Sequence, residues 1–361
     1  MPRAKFVKSC PVISSFRVEK IKGVFDIPDL TEVKKDFDID IPIENQKWNI
    51  GLIVGASGSG KTTIARECFP EFLFFTGFEW DSSPIVECFP QQYSVEDITT
   101  ALNYVGLSSA PDWLKPFSIL SNGQKMRAEM ARLFISEHNR PVIYDEFTSV
   151  VDRQVAQVSS YAVSKYIRRM NRQFLAVSCH RDIIDWLDPD WIFDTDKNAF
   201  EWRRLRCRPE IKLDIRYAEE KEWQLFKNYH YLSGQHHHAA NKFIAEINGE
   251  PVAWCSILHF PHPTVKNIKR VHRVVVRPDY QGLGIGMSFL NFVCSVYAEK
   301  GFRVHLVTGL CFFAKALAMS KKWRMFSSGL AARIGKTSAR ASLKKTISTK
   351  RTTASFEFIG G

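Results

Sequence analysis

The stretch that decides the fold of the second half of the chain is "VHRVVVRPDYQGLGIGMSFLNFVCSVYAEKG", residues 271–301. Its first apolar run predicts a strand over residues 271–277, and the apolar spacing after the glycines predicts a helix over residues 287–300. Glycine in the intervening loop lets backbone N–H groups approach an anion closely, and the following helix N-terminus attracts negative charge. The spacing is not the G-x-G-x-x-G of dinucleotide-binding folds. The segment therefore predicts a different kind of phosphate-binding loop.

The segments around this loop predict a mixed α/β domain. Residues 241–260 form two apolar runs joined by Asn248-Gly249, which predicts a hairpin, and "RVHLVTG" at residues 303–309 predicts a later strand. "KEWQLFKNYHYL", residues 221–232, has the apolar spacing of a helix. Gln281-x-x-Gly284-x-Gly286 in this setting resembles the acyl-CoA loop of GNAT acyltransferases. The resemblance implies acetyl-CoA or a related acyl-CoA as cofactor, bound by Val274, Val276, Gln281, Gly282, Gly284 and Gly286.

The candidate catalytic residues of this half are histidines and a tyrosine. Many GNAT enzymes have a tyrosine acid in a late helix, but "AKALAMSKKW" has Ala318 at that position. Histidine can act as acid or base near neutral pH, and His230 with Tyr231 is our preferred pair because their rings can also contact an extruded base. The alternative is that they pack at a helix end. The simpler interpretation of the run 236–238 is a polar loop, and His272 is a further candidate.

The first half contains a second phosphate loop. "NIGLIVGASGSGKTTIARECF", residues 49–69, predicts a strand over residues 50–54, a P-loop (Walker A) and a helix opening at Thr62. Backbone N–H groups of the loop and the Lys61 ammonium are suited to ATP phosphates, and the Thr62 hydroxyl is suited to Mg²⁺. The predicted ATP-binding residues of this loop are Gly55, Ser57, Gly58, Gly60, Lys61, Thr62 and Thr63.

The remaining parts of an ATPase site follow along the chain. "PVIYDEF" predicts a strand over residues 142–144 that is followed by Asp145 and Glu146. Asp145 would bind Mg²⁺, and Glu146 would polarise the attacking water. "FLAVSCH" predicts another strand, ending at His180, whose ring would reach a γ-phosphate or would only occupy a turn.

"LSNGQKMRAEMARLF", residues 120–134, resembles the signature loop and helix of ABC ATPases, with Asn122 at the first glycine. The resemblance covers about residues 15–200. It implies a homodimer in which ATP lies between two protomers and contacts Ser121, Gly123 and Gln124 of the other protomer, with Asp152 in a neighbouring loop. The glutamine that completes such a site is Gln91 or Gln92, and the sequence leaves the choice open.

Charge is distributed unevenly along the 361 residues. Residues 1–200 hold 23 Lys/Arg against 27 Asp/Glu, whereas residues 201–361 hold 27 against 11. Residues 331–351 contain seven basic side chains and no acidic one. A surplus of this size predicts a surface that binds a polyanion, DNA or alternatively RNA, whereas residues 331–351 taken alone fit a solvated basic segment equally well.

We therefore expect an ABC-type P-loop ATPase domain over residues 1–207 and a GNAT-like α+β domain over residues 208–361. The second resembles phage Mom-type proteins that modify DNA adenine, through "YHYLSG", "HRVVVRPDYQGLGIG" and "TASFEFIGG". The resemblance implies acyl transfer to a DNA base. Acetylation of RNA or protein, and a DNA-clamp ATPase that only senses acyl-CoA, are the alternatives. No apolar run long enough for a membrane span and no C-x-x-C pair occur, which predicts a cytoplasmic protein with reduced cysteines.

Overall fold

A computed structural model describes residues 3–28, 32–44, 46–137, 140–203, 211–230, 236–262, 264–265, 267–330 and 352–360. The strands are β1 (Arg3–Pro11), β2 (Glu32–Asp40), β3 (Ile50–Val54), β4 (Leu73–Phe75), β5 (Val142–Tyr144), β6 (Phe174–Ser178), β7 (Trp191–Asp194), β8 (Ala199–Trp202), β9 (Asp214–Tyr217), β10 (Asn241–Ile247), β11 (Glu250–His259), β12 (Ile268–Val276), β13 (Arg303–Thr308), β14 (Trp323–Leu330) and β15 (Thr352–Phe358). The helices are α1 (Phe16–Phe25), α2 (Lys61–Cys68), α3 (Val95–Tyr104), α4 (Ala110–Trp113), α5 (Asn122–Ser136), α6 (Arg153–Arg169), α7 (Ile183–Leu187), α8 (Ile285–Glu299) and α9 (Cys311–Met319).

The chain forms two compact units that do not follow the chain order. The first comprises Met1–Gly77, Asn139–Val150 and Ile167–Arg208, and the second comprises Phe78–His138, Val151–Tyr166 and Pro209–Gly361. The helical segment around the predicted ABC signature thus belongs to the same unit as the predicted transferase. The predicted boundary between residues 207 and 208 lies outside the described residues and stays a prediction.

The first unit is built on a six-stranded sheet with the order β4-β5-β6-β3-β7-β8. All neighbours pair in parallel except β7 and β8. Strand β3, which precedes the P-loop, is fully buried between β6 and β7, as its continuous apolar sequence predicts. A separate antiparallel pair, β1 and β2, packs Phe6 on Phe37 with ring centroids 4.8 Å apart.

The second unit contains a seven-stranded sheet with the order β14-β15-β13-β12-β11-β10-β9. Helix α8 packs on this sheet through Phe289, Leu290 and Val293, and Val158 of α6 joins the same hydrophobic cluster. The β10–β11 hairpin turns at Asn248 and Gly249, which have φ of 51° and 80°, the positive values that this dipeptide accommodates. The hairpin predicted from Asn-Gly is therefore confirmed.

The segment with helical spacing, residues 221–232, is described as far as His230. It forms two 3-10 helices, Glu220–Leu225 and Lys227–Tyr229. Trp223 and Phe226 are three positions apart, a spacing that lies on one edge of a 3-10 turn, and both are buried near Trp254. The described part of the segment is therefore helical, as its spacing predicts, but of the 3-10 type, because spacing by three satisfies both helix geometries.

The basic segment 331–351 lies outside the described residues, but its sequence position is informative. It connects β14 to β15, and β15 pairs with both β13 and β14. Of the described cysteines, Cys68, Cys255 and Cys294 are buried and all are free thiols. No helix in the described ranges is both long and apolar enough to cross a membrane.

Candidate functional site

The acyl-CoA loop predicted from the sequence connects β12 to α8. A 3-10 turn at Pro278–Tyr280 leaves the strand, and Gly282 and Gly284 then take φ of 88° and 89°. Gly284 is the N-cap of α8, so the first N–H groups of this 15-residue helix follow it without carbonyl partners in the helix. A Cβ on Gly284 would meet no atom within 4 Å, whereas one on Gly286 would lie 3.2 Å from the Val276 side chain. The loop therefore has an open side with the chemistry that a pyrophosphate requires.

Strand β12 diverges from its neighbour on the way to this loop. It pairs in parallel with β13 only from Ile268 to Arg270, while its pairing with β11 continues to Val276. The register with β11 also shifts, because Ser256 pairs with Arg273 and Ile257 with Val271. His272 is thus the extra residue of a β-bulge, a device that redirects a side chain and that is common beside active sites.

His272 belongs to a cluster of aromatic rings, which we call the His–Trp cluster. It comprises Trp223, His230, His236, Trp254 and His272. The ring of His236 lies 5.4 Å from that of His272 and 5.4 Å from that of Trp254, and Trp223 lies 5.3 Å from His236. The structure therefore brings together histidines that are up to 42 positions apart in the sequence.

The His–Trp cluster contains buried polar atoms without partners. Both ring nitrogens of His236, Nε2 of His272 and Nε1 of Trp254 make no hydrogen bond in the described structure, although His236 Nδ1 lies 3.6 Å from a Glu220 carboxylate oxygen. Burial lowers the pKa of His272 to about 3, with a further lowering by the neighbouring Arg273 charge. Burial also lowers the pKa of His236, against the raising effect of Glu220. Both rings are neutral at pH 7, and a neutral imidazole can accept a proton.

His230 lies in the His–Trp cluster, whereas Val274 and Val276 pack against the cluster that contains α8. His230 is 8% exposed and its ring lies 6.2 Å from that of Trp223, whereas Tyr231 lies outside the described residues. Val274 and Val276 pair with Cys255 and Ala253 of β11. Ala318 is exposed in the last turn of α9 and carries no hydroxyl.

The Gln281 side chain uses both of its polar atoms within the protein. Its Nε2 donates to the Val276 carbonyl at 3.0 Å, and its Oε1 accepts from Ser108 N–H at 2.9 Å. A Cβ on Gly106 would lie 2.6 Å from the Gln281 carbonyl oxygen, so the backbone of residues 106–108 packs closely on the loop. The sequence does not predict that Ser108 and Gly106 contact the loop, because a turn carries no pattern that identifies a distant partner.

The predicted signature residues form the start of α5. Ser121 and Gln124 make a capping box, in which Gln124 N–H donates to Ser121 Oγ at 3.3 Å and Ser121 N–H donates to Gln124 Oε1 at 3.0 Å. Gly123 is buried against Val155, which a Cβ would approach to 2.5 Å. Gln91 and Gln92 are both exposed, and the choice between them stays open.

The P-loop of the first unit has the backbone that its sequence predicts. Gly58 and Gly60 have φ of 76° and 102°, and α2 begins at Lys61, one residue before the predicted start. Lys61 is buried and donates to the Ala56 carbonyl at 2.7 Å. Gly55 is required because a Cβ there would lie 2.0 Å from Thr195 Oγ1. Ser57 and Thr63 occupy the loop and the first turn of α2, respectively.

Asp145 and Thr62 meet at the strand ends of the first unit. Thr62 Oγ1 donates to Asp145 Oδ2 at 2.9 Å, so a hydroxyl and a carboxylate, both oxygen ligands of the kind that Mg²⁺ prefers, lie together. Glu146 is exposed, has φ of 52°, and accepts from Ser149 Oγ at 2.6 Å. His180 follows β6, and its N–H donates to Ser178 Oγ at 3.1 Å.

An acidic contact at the P-loop was not predicted. The Asp196 carboxylate accepts from Ala56 N–H at 2.9 Å and pairs with Arg181 at 2.9 Å. Lys35 of β2 donates to the Ser59 carbonyl at 3.0 Å. Asp196 and Arg181 lie in connections far along the chain from the P-loop, and local sequence pattern cannot reveal such contacts. The described residues contain no group of three or more His, Cys, Asp or Glu side chains that could hold a metal ion.

Comparison with known proteins identifies the class of the second half. Residues 197–322 match the model of the acetyltransferase (GNAT) family. The chain therefore contains a GNAT acetyltransferase domain in its second half, and this part of the sequence prediction is confirmed.

Several solved structures match part of the chain. The ribosomal-protein-S18-alanine N-acetyltransferase from Escherichia coli is 14% identical, with a TM-score of 0.31, over 41% of this chain and 93% of that one. An acetyltransferase from Bacillus subtilis in complex with CoA is 13% identical, with a TM-score of 0.30, over 41% and 98%. CbiO1 from Clostridium perfringens, part of the ABC transporter complex CbiONQ, is 16% identical, with a TM-score of 0.34, over 47% and 80%. No curated protein sequence matches the chain.

Proposed function

We propose that the protein transfers an acyl group from an acyl-CoA to a base of a nucleic acid, and that it binds and hydrolyses ATP in its first half. The observation that carries the transferase proposal is that β12 holds two candidate functional groups. This strand holds His272 in its bulge and ends in the glycine loop, so a neutral imidazole and a phosphate-binding backbone lie on one element.

The glycine loop and the start of α8 are expected to bind the cofactor. N–H groups after Gly284 would contact the pyrophosphate, because they lack partners in the helix and Gly284 leaves their approach open. When bound, acyl-CoA supplies the acyl group as an activated thioester. The edge of β12 beyond Arg270, where pairing with β13 ends, offers backbone groups along which the rest of the cofactor can align.

The His–Trp cluster is the proposed acceptor site. The rings of Trp254 and His236 are buried against each other, so they would hold the His272 ring in place and would not themselves contact the base. An exocyclic amine that attacks a thioester must lose a proton. His272 is the candidate acceptor, and bound substrate would have to expose its Nε2 and raise its pKa, because the atom is buried and the pKa is lowered in the free protein. His230 and Tyr231 remain candidates for the same role.

The preference for nucleic acid rests on charge. Residues 201–361 hold 27 basic side chains but only 11 acidic ones, and this surplus of positive charge favours a polyanionic substrate. The Mom-type resemblance favours DNA adenine among the possible bases, and it is part of this proposal.

ATP use is proposed from the first unit. The P-loop backbone, Lys61 and the Thr62–Asp145 pair are suited to a Mg²⁺-bound triphosphate, and Glu146 is the candidate for orienting water. The ABC resemblance adds a homodimer in which Ser121 and Gly123 contact the nucleotide of the partner protomer.

Mass spectrometry of nucleosides tests the transferase proposal. DNA from cells that express the protein should contain a nucleoside whose mass is raised by an acyl group, and cells that express Gly284→Asp should lack it. A new mass only in RNA or only on protein would replace the substrate, and no new mass in any of them would contradict acyl transfer. ATP hydrolysis by the purified protein should rise on addition of DNA, and an unchanged rate would refute the coupling to nucleic acid.

A further inference from the structure

Arg127 links the predicted signature helix to the acyl-CoA loop. It lies on α5, one turn after Gly123, and its side chain is fully buried. Its Nη1 donates to the Pro278 carbonyl at 2.8 Å and its Nη2 to the Asp279 carbonyl at 3.4 Å. Both carbonyls belong to the 3-10 turn that leads from β12 into the glycine loop. The guanidinium thus bridges the segment that sets where the loop begins.

Other contacts hold the same loop against the helical segments of this unit. Ser108 N–H donates to the Gln281 side chain at 2.9 Å, and a Cβ on Gly282 would lie 3.2 Å from Gly106 and 3.4 Å from Ala162 of α6. Val158 of α6 is buried in the hydrophobic cluster of the transferase sheet. One side of the glycine loop is therefore built by residues of the helical segments, while Gly284 remains open.

The environment of Arg127 is unusual for a residue that only stabilises a core. Among the described residues no carboxylate forms an ion pair with it, and its third hydrogen bond is to Ser159 Oγ at 3.4 Å. Removing a cation from water costs free energy that carbonyl contacts offset only in part, and apolar side chains of similar volume often stabilise such positions better. Unlike an apolar side chain, the planar guanidinium of Arg127 can donate to two successive carbonyls and fix their positions.

We propose that Arg127 is a positioning residue of the acyl-CoA loop, through which the signature helix sets the conformation in which the loop binds CoA. This inference rests on the proposed function, because it assumes that the loop binds CoA. It adds that CoA affinity depends on a residue of the segment that resembles an ATPase, about 150 positions before the loop.

Titration calorimetry of the full chain with coenzyme A tests this role. Arg127→Met removes the fork and keeps a side chain of similar length, and it should weaken CoA binding about tenfold while the stoichiometry stays unchanged. Arg127→Lys, whose ammonium cannot span two carbonyls, should give a smaller loss of about threefold. Arg132→Met is the matched control, because Arg132 lies on the same helix and donates to the Glu79 carbonyl at 2.9 Å, away from the loop. It should bind CoA as the wild type does.

The outcomes separate the two levels of the proposal. Wild-type affinity in Arg127→Met would overturn the positioning role and leave the transferase proposal intact. A reduced stoichiometry with unchanged affinity would also overturn it, because misfolded molecules lower the number of sites and not their strength. Failure of the wild type to bind CoA would overturn both. If Arg127→Met is insoluble, Arg127→Lys with the same two readouts decides the question.

Discussion

The pH dependence of stability should reveal the half-buried histidine of the β12 bulge. The ordinary pKa of a histidine is about 6.5, whereas burial lowers that of His272 to about 3 in the folded protein. Below pH 6.5 the unfolded chain therefore takes up a proton that the folded protein does not. The free energy of unfolding is therefore unaffected by this group above pH 6.5, and it falls progressively as the pH falls from 6.5 toward 3.

The magnitude follows from proton linkage. Below pH 6.5 a single site of this kind lowers the free energy of unfolding by about 1.4 kcal/mol for each pH unit. Between pH 8 and pH 5 the total decrease is about 2 kcal/mol. His272 is partly exposed, so screening by solvent reduces the expected loss to about 1 to 2 kcal/mol. His272→Leu removes the titrating group, and at pH 8 it should leave stability unchanged or raised, because an unpartnered buried nitrogen disappears.

Urea denaturation followed by tryptophan fluorescence at pH 8 and pH 5 measures this effect. Between pH 8 and pH 5 the free energy of unfolding of the wild type should fall by about 1 to 2 kcal/mol more than that of His272→Leu. The same variant should lose acyl transfer at every pH if His272 accepts the substrate proton. An identical pH dependence of stability in the two proteins would refute the reasoning, since it would mean that the folded protein protonates His272 as readily as the unfolded chain does.

Three further predictions concern the separate binding functions. Gly286→Asp should weaken CoA binding at least about tenfold in calorimetry, because its Cβ would crowd Val276 and its carboxylate would repel a phosphate at the start of α8; unchanged affinity would exclude this loop as the CoA site. Thr62→Ala should reduce binding of a fluorescent ATP analogue about tenfold or more while CoA binding stays normal, because the hydroxyl beside Asp145 is lost; an equal loss of both ligands would indicate misfolding instead. Replacing the seven basic side chains of residues 331–351 by glutamine should lower the slope of log affinity for DNA against log salt by up to about 6; an unchanged slope would place the phosphate contacts elsewhere.

The parts of the fold that sequence predicts are those whose cause is local. Residues 50–54 form the strand expected from a continuous apolar run, and the glycine loop after β12 leads into a helix. The boundaries moved by one to three residues, because β12 begins at Ile268 and α8 begins at Ile285. Helix ends depend on cap geometry, here the φ of 89° at Gly284, which apolar spacing does not encode.

The candidate site was predictable residue by residue but not as an arrangement. Sequence singled out His272 and the run at 236–238, yet only the sheet places His236 within 5.4 Å of both His272 and Trp254. Arg127 gave no signal at all. On a helical pattern it is one basic side chain among several, and the carbonyls that it contacts are about 150 residues away. Non-local contacts with backbone atoms have no sequence signature, because every residue has a carbonyl.

The position of β15 has a consequence for the order in which the protein becomes active during synthesis. The strands and helices of the P-loop sheet are all translated by residue 202. The transferase sheet, by contrast, stays open between β13 and β14 until Phe358 has left the ribosome, and the basic residues 331–351 emerge just before it closes. A nascent chain can therefore fold its P-loop sheet early, while the sheet of the GNAT domain becomes complete only after the basic segment has been made.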